Sequence, residues 1–110
     1  MASKIRLQAA TDDDLVEKCK EQTNCGDCTA PDWMTPSEDV RMIPPEDTVA
    51  LVIDIGQNQG AIQIVEKQAN KYVDMVGTEE AGNMVMIPWN KDWWFYCIGS
   101  TRVGYIRTKT

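Results

Sequence analysis

The sequence predicts a mainly β chain: a small antiparallel barrel or sandwich over residues 48–110, preceded by an acidic extension over residues 1–47 built from a strand, a short helix and a Cys- and Pro-rich loop. Three observations lead there. From Thr48 onward, short runs rich in β-branched and aromatic residues recur at near-regular spacing between Gly-containing turns, the pattern of antiparallel β architecture. The formal charge of −6 lies wholly in the first 47 residues, with 5 Lys and Arg against 11 Asp and Glu, whereas residues 48–110 hold 6 of each. Four of the five prolines (Pro31, Pro36, Pro44 and Pro45) punctuate the stretch before Thr48. A chain of 110 residues makes one domain and can bury one core without a metal or disulfide.

Each element has a local cause. Lys4-Ile5-Arg6-Leu7-Gln8 alternates polar and apolar, as a short edge strand does. Thr11 can cap a helix, and Asp14 stands at the capping-box position three residues on. Asp12, Asp13 and Asp14 also suit the positive end of the helix dipole. Leu15, Val16 and Cys19 share one face of a helix reaching about Gln22, too short to persist without packing. Thr23 to Asp47 reads as irregular chain pinned to the core by Trp33. Strands follow over Thr48–Ile55, Ala61–Val65, Lys71–Val76, Asn83–Ile87 (closed by Pro88), Trp93–Ile98 and Val103–Thr108. Turns fall at Gly56–Gly60, Gln68-Ala69-Asn70, Gly77–Gly82 and Gly99-Ser100-Thr101, the second of these closing a hairpin.

Charge and composition exclude several functions. An acidic surface repels nucleic acid and anionic membranes alike. The longest apolar run, Trp93–Ile98, is far short of the roughly 20 residues of a membrane span. No charged-then-apolar leader opens the chain, so a cytoplasmic protein without membrane insertion is expected. Histidine is absent, which removes the usual general base and the usual metal ligand. Gly56–Gly60 lacks the Lys-Ser/Thr that completes a phosphate loop. No catalysis is expected.

Ala50-Leu51-Val52-Ile53-Asp54-Ile55, Ala81-Gly82-Asn83-Met84-Val85-Met86-Ile87, Asp92-Trp93-Trp94 and Gly104-Tyr105-Ile106 follow the order of landmarks in an SH3 domain. The resemblance covers residues 48–110, and the Trp-Trp to Gly-Tyr-Ile stretch is its most specific part. It implies an SH3-like barrel acting as a non-catalytic, adaptor-like interaction module for a protein or peptide. Neighbouring residues of a strand face opposite ways, and by resemblance Trp93 is the displayed indole. The family's first-strand tyrosines fall at Ile53 and Ile55, its proline at Arg107 and its closing tyrosine at Thr110. The expected surface is therefore atypical: Trp93 with Arg107 as a cation–π or basic contact, Asp54 as the acid of the first strand, and the long loop from Gly56 to Gly82. The alternatives are a small structural subunit of a larger assembly and a zinc- or redox-linked protein using Cys19, Cys25 and Cys28.

Cys19, Cys25 and Cys28 cluster within ten residues, and Cys97 lies far off in a strand. Several readings compete. Zinc bound by Cys19, Cys25 and Cys28 lacks a second Cys-x-x-Cys pair, although Asn24–Trp33 looks like the first half of the zinc finger of Arf GTPase-activating proteins. The spacing also resembles adrenodoxin-type ferredoxins, whose clusters need four thiolates. Cys25-Gly26-Asp27-Cys28 is similar to thioredoxin-like redox motifs, but Asp27 opposes thiolate formation. The preferred reading is structural: one disulfide within the cluster, or buried free thiols.

Overall fold

A computed structural model of the chain describes residues 4–8, 10–54, 60–77 and 84–109. Its elements are β1 (Ile5–Leu7), α1 (Asp12–Gln22), β2 (Asp32–Met34), β3 (Thr48–Asp54), β4 (Ala61–Glu66), β5 (Tyr72–Val76), β6 (Met84–Pro88), β7 (Trp93–Ile98) and β8 (Arg102–Arg107). The helix begins as its capping box predicts. Asp14 N donates to Thr11 Oγ1 at 3.2 Å and Thr11 N donates to Asp14 Oδ2 at 3.1 Å.

The strands form two antiparallel sheets, one in the order β1-β6-β3-β8-β2 and the other β5-β4-β7. Alternation assigns each residue a layer. Leu51, Ile53, Val85, Ile87, Val103 and Tyr105 of the first sheet meet Ile62, Ile64, Val76, Phe95 and Cys97 of the second in one core cluster. The intervening residues Ala50, Val52, Met86 and Ile106 turn the other way, against Leu15 and Cys19 of α1 and against Cys25 and Cys28. The first sheet is thus buried on both faces, which is why β3 reads as an almost unbroken apolar run.

The acidic extension is built into this fold. β1 pairs with β6 and β2 pairs with β8, covering both edges of the first sheet. A strip around Glu38–Met42 lies along β7, where Met42 and Phe95 exchange backbone hydrogen bonds of 2.7 and 3.0 Å. Covering an edge satisfies backbone groups that would otherwise invite another chain.

Two expectations are corrected. Residues 32–34 form a strand where irregular chain was expected, although Trp33 does pack on the helix-side core. Pro88 belongs to β6, pairing with Ala50, instead of following the strand. The tight segment expected at Gly99-Ser100-Thr101 carries the chain from one sheet to the other, since β7 and β8 lie in different sheets. The Gln68-Ala69-Asn70 hairpin forms between β4 and β5. The two expected long turns fall outside the described residues except for Gly60 and Gly77, as do Ile55 and Asn83 at strand ends.

Gly104 marks a close approach. It pairs with Trp33 across β8 and β2, and a Cβ there would lie 3.0 Å from both Pro31 Cβ and Trp33 Cε3. Trp33 has little room to yield, because its Nε1 donates to Asp12 Oδ1 at 3.0 Å and the Arg102 guanidinium covers its ring at 3.9 Å. Replacing Gly104 with Val should therefore destabilise the fold by about 1–3 kcal/mol, the usual cost of overpacking. Urea denaturation would show it; an unchanged midpoint would mean that Trp33 is not held.

Candidate functional site

Asp54 and Arg107, two of the predicted surface residues, are not brought together. Trp93 is on β7 in the second sheet, whereas Asp54 and Arg107 stand at opposite ends of the β3–β8 ladder in the first. That ladder separates them by about 20 Å, from its six-residue span at roughly 3.4 Å per residue. Arg107 is engaged by Asp47: its Nε and Nη2 donate to the two carboxylate oxygens at 2.8 and 2.9 Å. This bidentate bond holds the Asp47 carboxyl below its ordinary pKa and raises that of Arg107. Asp54 accepts from Arg102 Nη1 at 3.1 Å, which places that guanidinium over Trp33. Both predicted charges therefore tie strands to their neighbours.

The two indoles do straddle the second sheet, with their expected roles exchanged. Trp93 is in phase with Phe95 and Cys97 and packs on the inter-sheet core. Trp94 is in phase with Tyr96 on the outer face, with the two rings 5.8 Å apart. Arg41, not Arg107, makes the cation–π contact on this strand, 4.8 Å over Trp94.

Cys25 and Cys28 are joined in a disulfide, while Cys19 and Cys97 are buried free thiols. Burial raises the Cys19 pKa, against a hydrogen bond with Thr23. The bonded pair offers no thiolate to a metal, and among the described residues no group of three or more His, Cys, Asp or Glu is placed to hold one. The disulfide loop grips the end of β8: Thr29 N donates to Arg107 O at 2.8 Å and Lys109 N donates to Asp27 O at 2.9 Å.

A concave site lies elsewhere, behind Trp93. A cleft of about 540 Å³ is lined by Ile43, Pro44, Pro45 and Glu46 together with Lys67, Trp89, Lys91 and Asp92. That volume falls within the range of about 300–1,000 Å³ typical of ligand sites. The frame is fixed by backbone bonds. Trp89 N donates to Val49 O at 3.0 Å, Lys67 N to Asp92 O at 2.8 Å, and Thr48 N to Pro45 O at 3.0 Å. Asp92 N donates to Asn90 Oδ1 at 2.8 Å, tightening the β6–β7 turn. Trp89 stands edge-on to Trp93, with centroids 5.4 Å apart, and to Phe95 at 5.8 Å. Its indole therefore rests on a rigid aromatic base.

Ile43 in this lining is 55% exposed. Lys67, Lys91, Glu46 and Asp92 have no ion-pair partner among the described residues. Sequence reasoning passed over Trp89 because it lies between two strands. The available cue was a large indole inside the polar turn Pro88-Trp89-Asn90-Lys91-Asp92. Among the described residues no helix is long and apolar enough to cross a membrane. No protein-family model matches the chain, and no curated protein matches its sequence.

Proposed function

We propose that this chain is a non-catalytic protein-interaction module, SH3-like in type but with an atypical surface, that holds an extended peptide segment of a protein partner. The observation that supports this reading is the Trp89 cleft: an indole on a rigid base shares its lining with two prolines and an exposed isoleucine, and its charges of both signs have no ion-pair partner among the described residues. An aromatic floor takes an apolar side chain, and placed charges fix direction and register. Glu46 and Asp92 beside the two lysines disfavour a polyanion, consistent with the acidic chain as a whole.

Peptide-display selection on the immobilised full chain tests this. A consensus with an apolar anchor is expected, and selected peptides should bind Ile43→Glu and Trp89→Ala at least about tenfold more weakly, as for a central anchor contact. Trp89 packs on the buried Phe95, so its variant also disturbs the core; Ile43 is exposed and carries the decision. No consensus, or peptides indifferent to Ile43→Glu, would sink the reading.

A further inference from the structure

The two sheets differ in what covers them. The outer face of the first is packed under α1 and the disulfide loop. On the second, register and alternation turn Gln63, Tyr72, Met75, Trp94, Tyr96 and Ile98 outward, together with the small Ala61 and Val65. None of these eight positions is charged. An antiparallel sheet whose outer face meets water ordinarily alternates polar residues onto it. Here Tyr72, Met75 and Ile98 are 61%, 41% and 39% exposed, whereas Ala61 and Val65 are buried among them, and Trp94 Nε1 is buried with no hydrogen-bond partner among the described residues. Tyr, Trp and Met are the residues enriched where proteins meet.

The rim of this face points to the occupant. The strip along β7 is bonded to it, with Asp39 N donating to Cys97 O at 3.1 Å. It exposes Glu38, Asp39 and Arg41, none ion-paired among the described residues. Both signs therefore stand along one edge of the face, from which the Arg41 guanidinium reaches over the Trp94 ring. In a twofold contact, residue i of one copy meets j of the other while j meets i. Such a strip is complementary to itself: Arg41 of each copy can meet Glu38 or Asp39 of the other. The three-stranded face alone, about 14 Å wide and 20 Å long from strand spacing and rise, is smaller than the ~800 Å² per partner of a stable interface. The strip has to take part, which makes its charges decisive. The other acids of the extension do not obstruct the pairing, because α1 and the disulfide loop cover the opposite sheet.

We infer that this chain pairs with a second copy of itself through the outer face of β4, β5 and β7, with the Glu38–Arg41 strip fixing the register. The pairing is independent of the cleft at Trp89.

Sedimentation velocity on the full chain from about 1 to 500 μM, a range suited to a modest interface, should show a monomer–dimer equilibrium. Tyr96→Lys should weaken pairing at least about tenfold. Arg41→Glu should weaken it too, and adding Glu38→Arg and Asp39→Arg to Arg41→Glu should restore it, because the swapped strip is again self-complementary. Ile43→Glu, in the cleft, should leave the dimer unchanged. A circular-dichroism spectrum and urea midpoint for each variant would separate lost pairing from lost structure. A monomer at every concentration overturns the inference and leaves the face to a different protein. A dimer indifferent to both Tyr96→Lys and the charge swap overturns it as well.

Discussion

Replacing Phe95 with Ala should destabilise the fold by about 3–5 kcal/mol, the usual cost of removing a fully buried phenyl ring. Phe95 is fully buried at the centre of the inter-sheet cluster. Its ring meets Trp89 edge-on from one side, with centroids 5.8 Å apart, and Tyr105 of the opposite sheet at 6.3 Å. Its backbone exchanges both hydrogen bonds with Met42, so it also anchors the strip that seals the β7 edge. A cavity there is lined by β-sheet on both sides and cannot collapse without shifting strands. A domain of this size has about 5–15 kcal/mol in total, so the variant would be marginal at room temperature. Trp94→Ala, one residue earlier but on the outer face, should cost the monomer about 1 kcal/mol, the typical effect of a substitution outside the core. Urea titration of both variants decides the orientation of β7. Equal losses, or a larger loss at Trp94, would put the strand the other way round.

That orientation shows where sequence reasoning stops. Alternation placed the two indoles on opposite faces, and they are. Yet Trp93, Phe95 and Cys97 form one apolar set and Trp94, Tyr96 and Ile98 form another, so hydrophobicity cannot say which set faces in. The resemblance to SH3 domains chose Trp93 as the displayed residue. The packing of Phe95 and Cys97 against β3 and β8 decides otherwise.

Local chemistry was easier to read. The Thr11–Asp14 capping box, the β-branched run at β3 and the hairpin around Gln68-Ala69-Asn70 each depend on neighbours in sequence, and each forms as read. β2 did not, because Asp32-Trp33-Met34 is too short to announce a strand and extends only by pairing with β8, some seventy residues away. The crossing at Gly99-Ser100-Thr101 was hidden for a related reason. Gly99 has φ 75° and Thr101 Oγ1 donates to Ala61 O at 3.3 Å, so the segment is tight like a hairpin turn while sending β8 to the other sheet. The cleft was least legible, since residues 43–46, 67 and 89–92 carry no common motif and meet only in three dimensions.

The second large effect is a loss of stability in alkali. Cys97 and Tyr105 face each other's sheets within the same cluster. Burial pushes the Cys97 thiol from 9.0 to about 11, against a hydrogen bond with Thr101. Burial, and then repulsion from Cys97, pushes Tyr105 from 10.0 to about 12. Both acids hold their protons more tightly in the folded chain than in the unfolded one. Below pH 9 both states are protonated and the stability is fully present. As pH rises through 9 to 11, the unfolded chain ionises Cys97 first, and through 10 to 12 it ionises Tyr105, so each step favours unfolding. Two pKa units correspond to about 3 kcal/mol for one group. The two contributions share their mutual repulsion, so the pair contributes less than the sum of two such groups. Even one such step is a large fraction of the roughly 5–15 kcal/mol of a small domain, so the urea midpoint should fall steadily as pH rises above 9.

Two variants partition the effect. Cys97→Ala should remove the loss between pH 9 and 11. Tyr105→Phe should remove the later loss, and it should not weaken the fold at neutral pH, because the Tyr105 hydroxyl is buried without a hydrogen-bond partner and its removal relieves that burial. A urea midpoint that stays level from pH 8 to 11.5 in the unmodified chain, or a Tyr105→Phe variant markedly less stable at pH 7, would show that these two groups are hydrated in solution and that the sheets do not close over them.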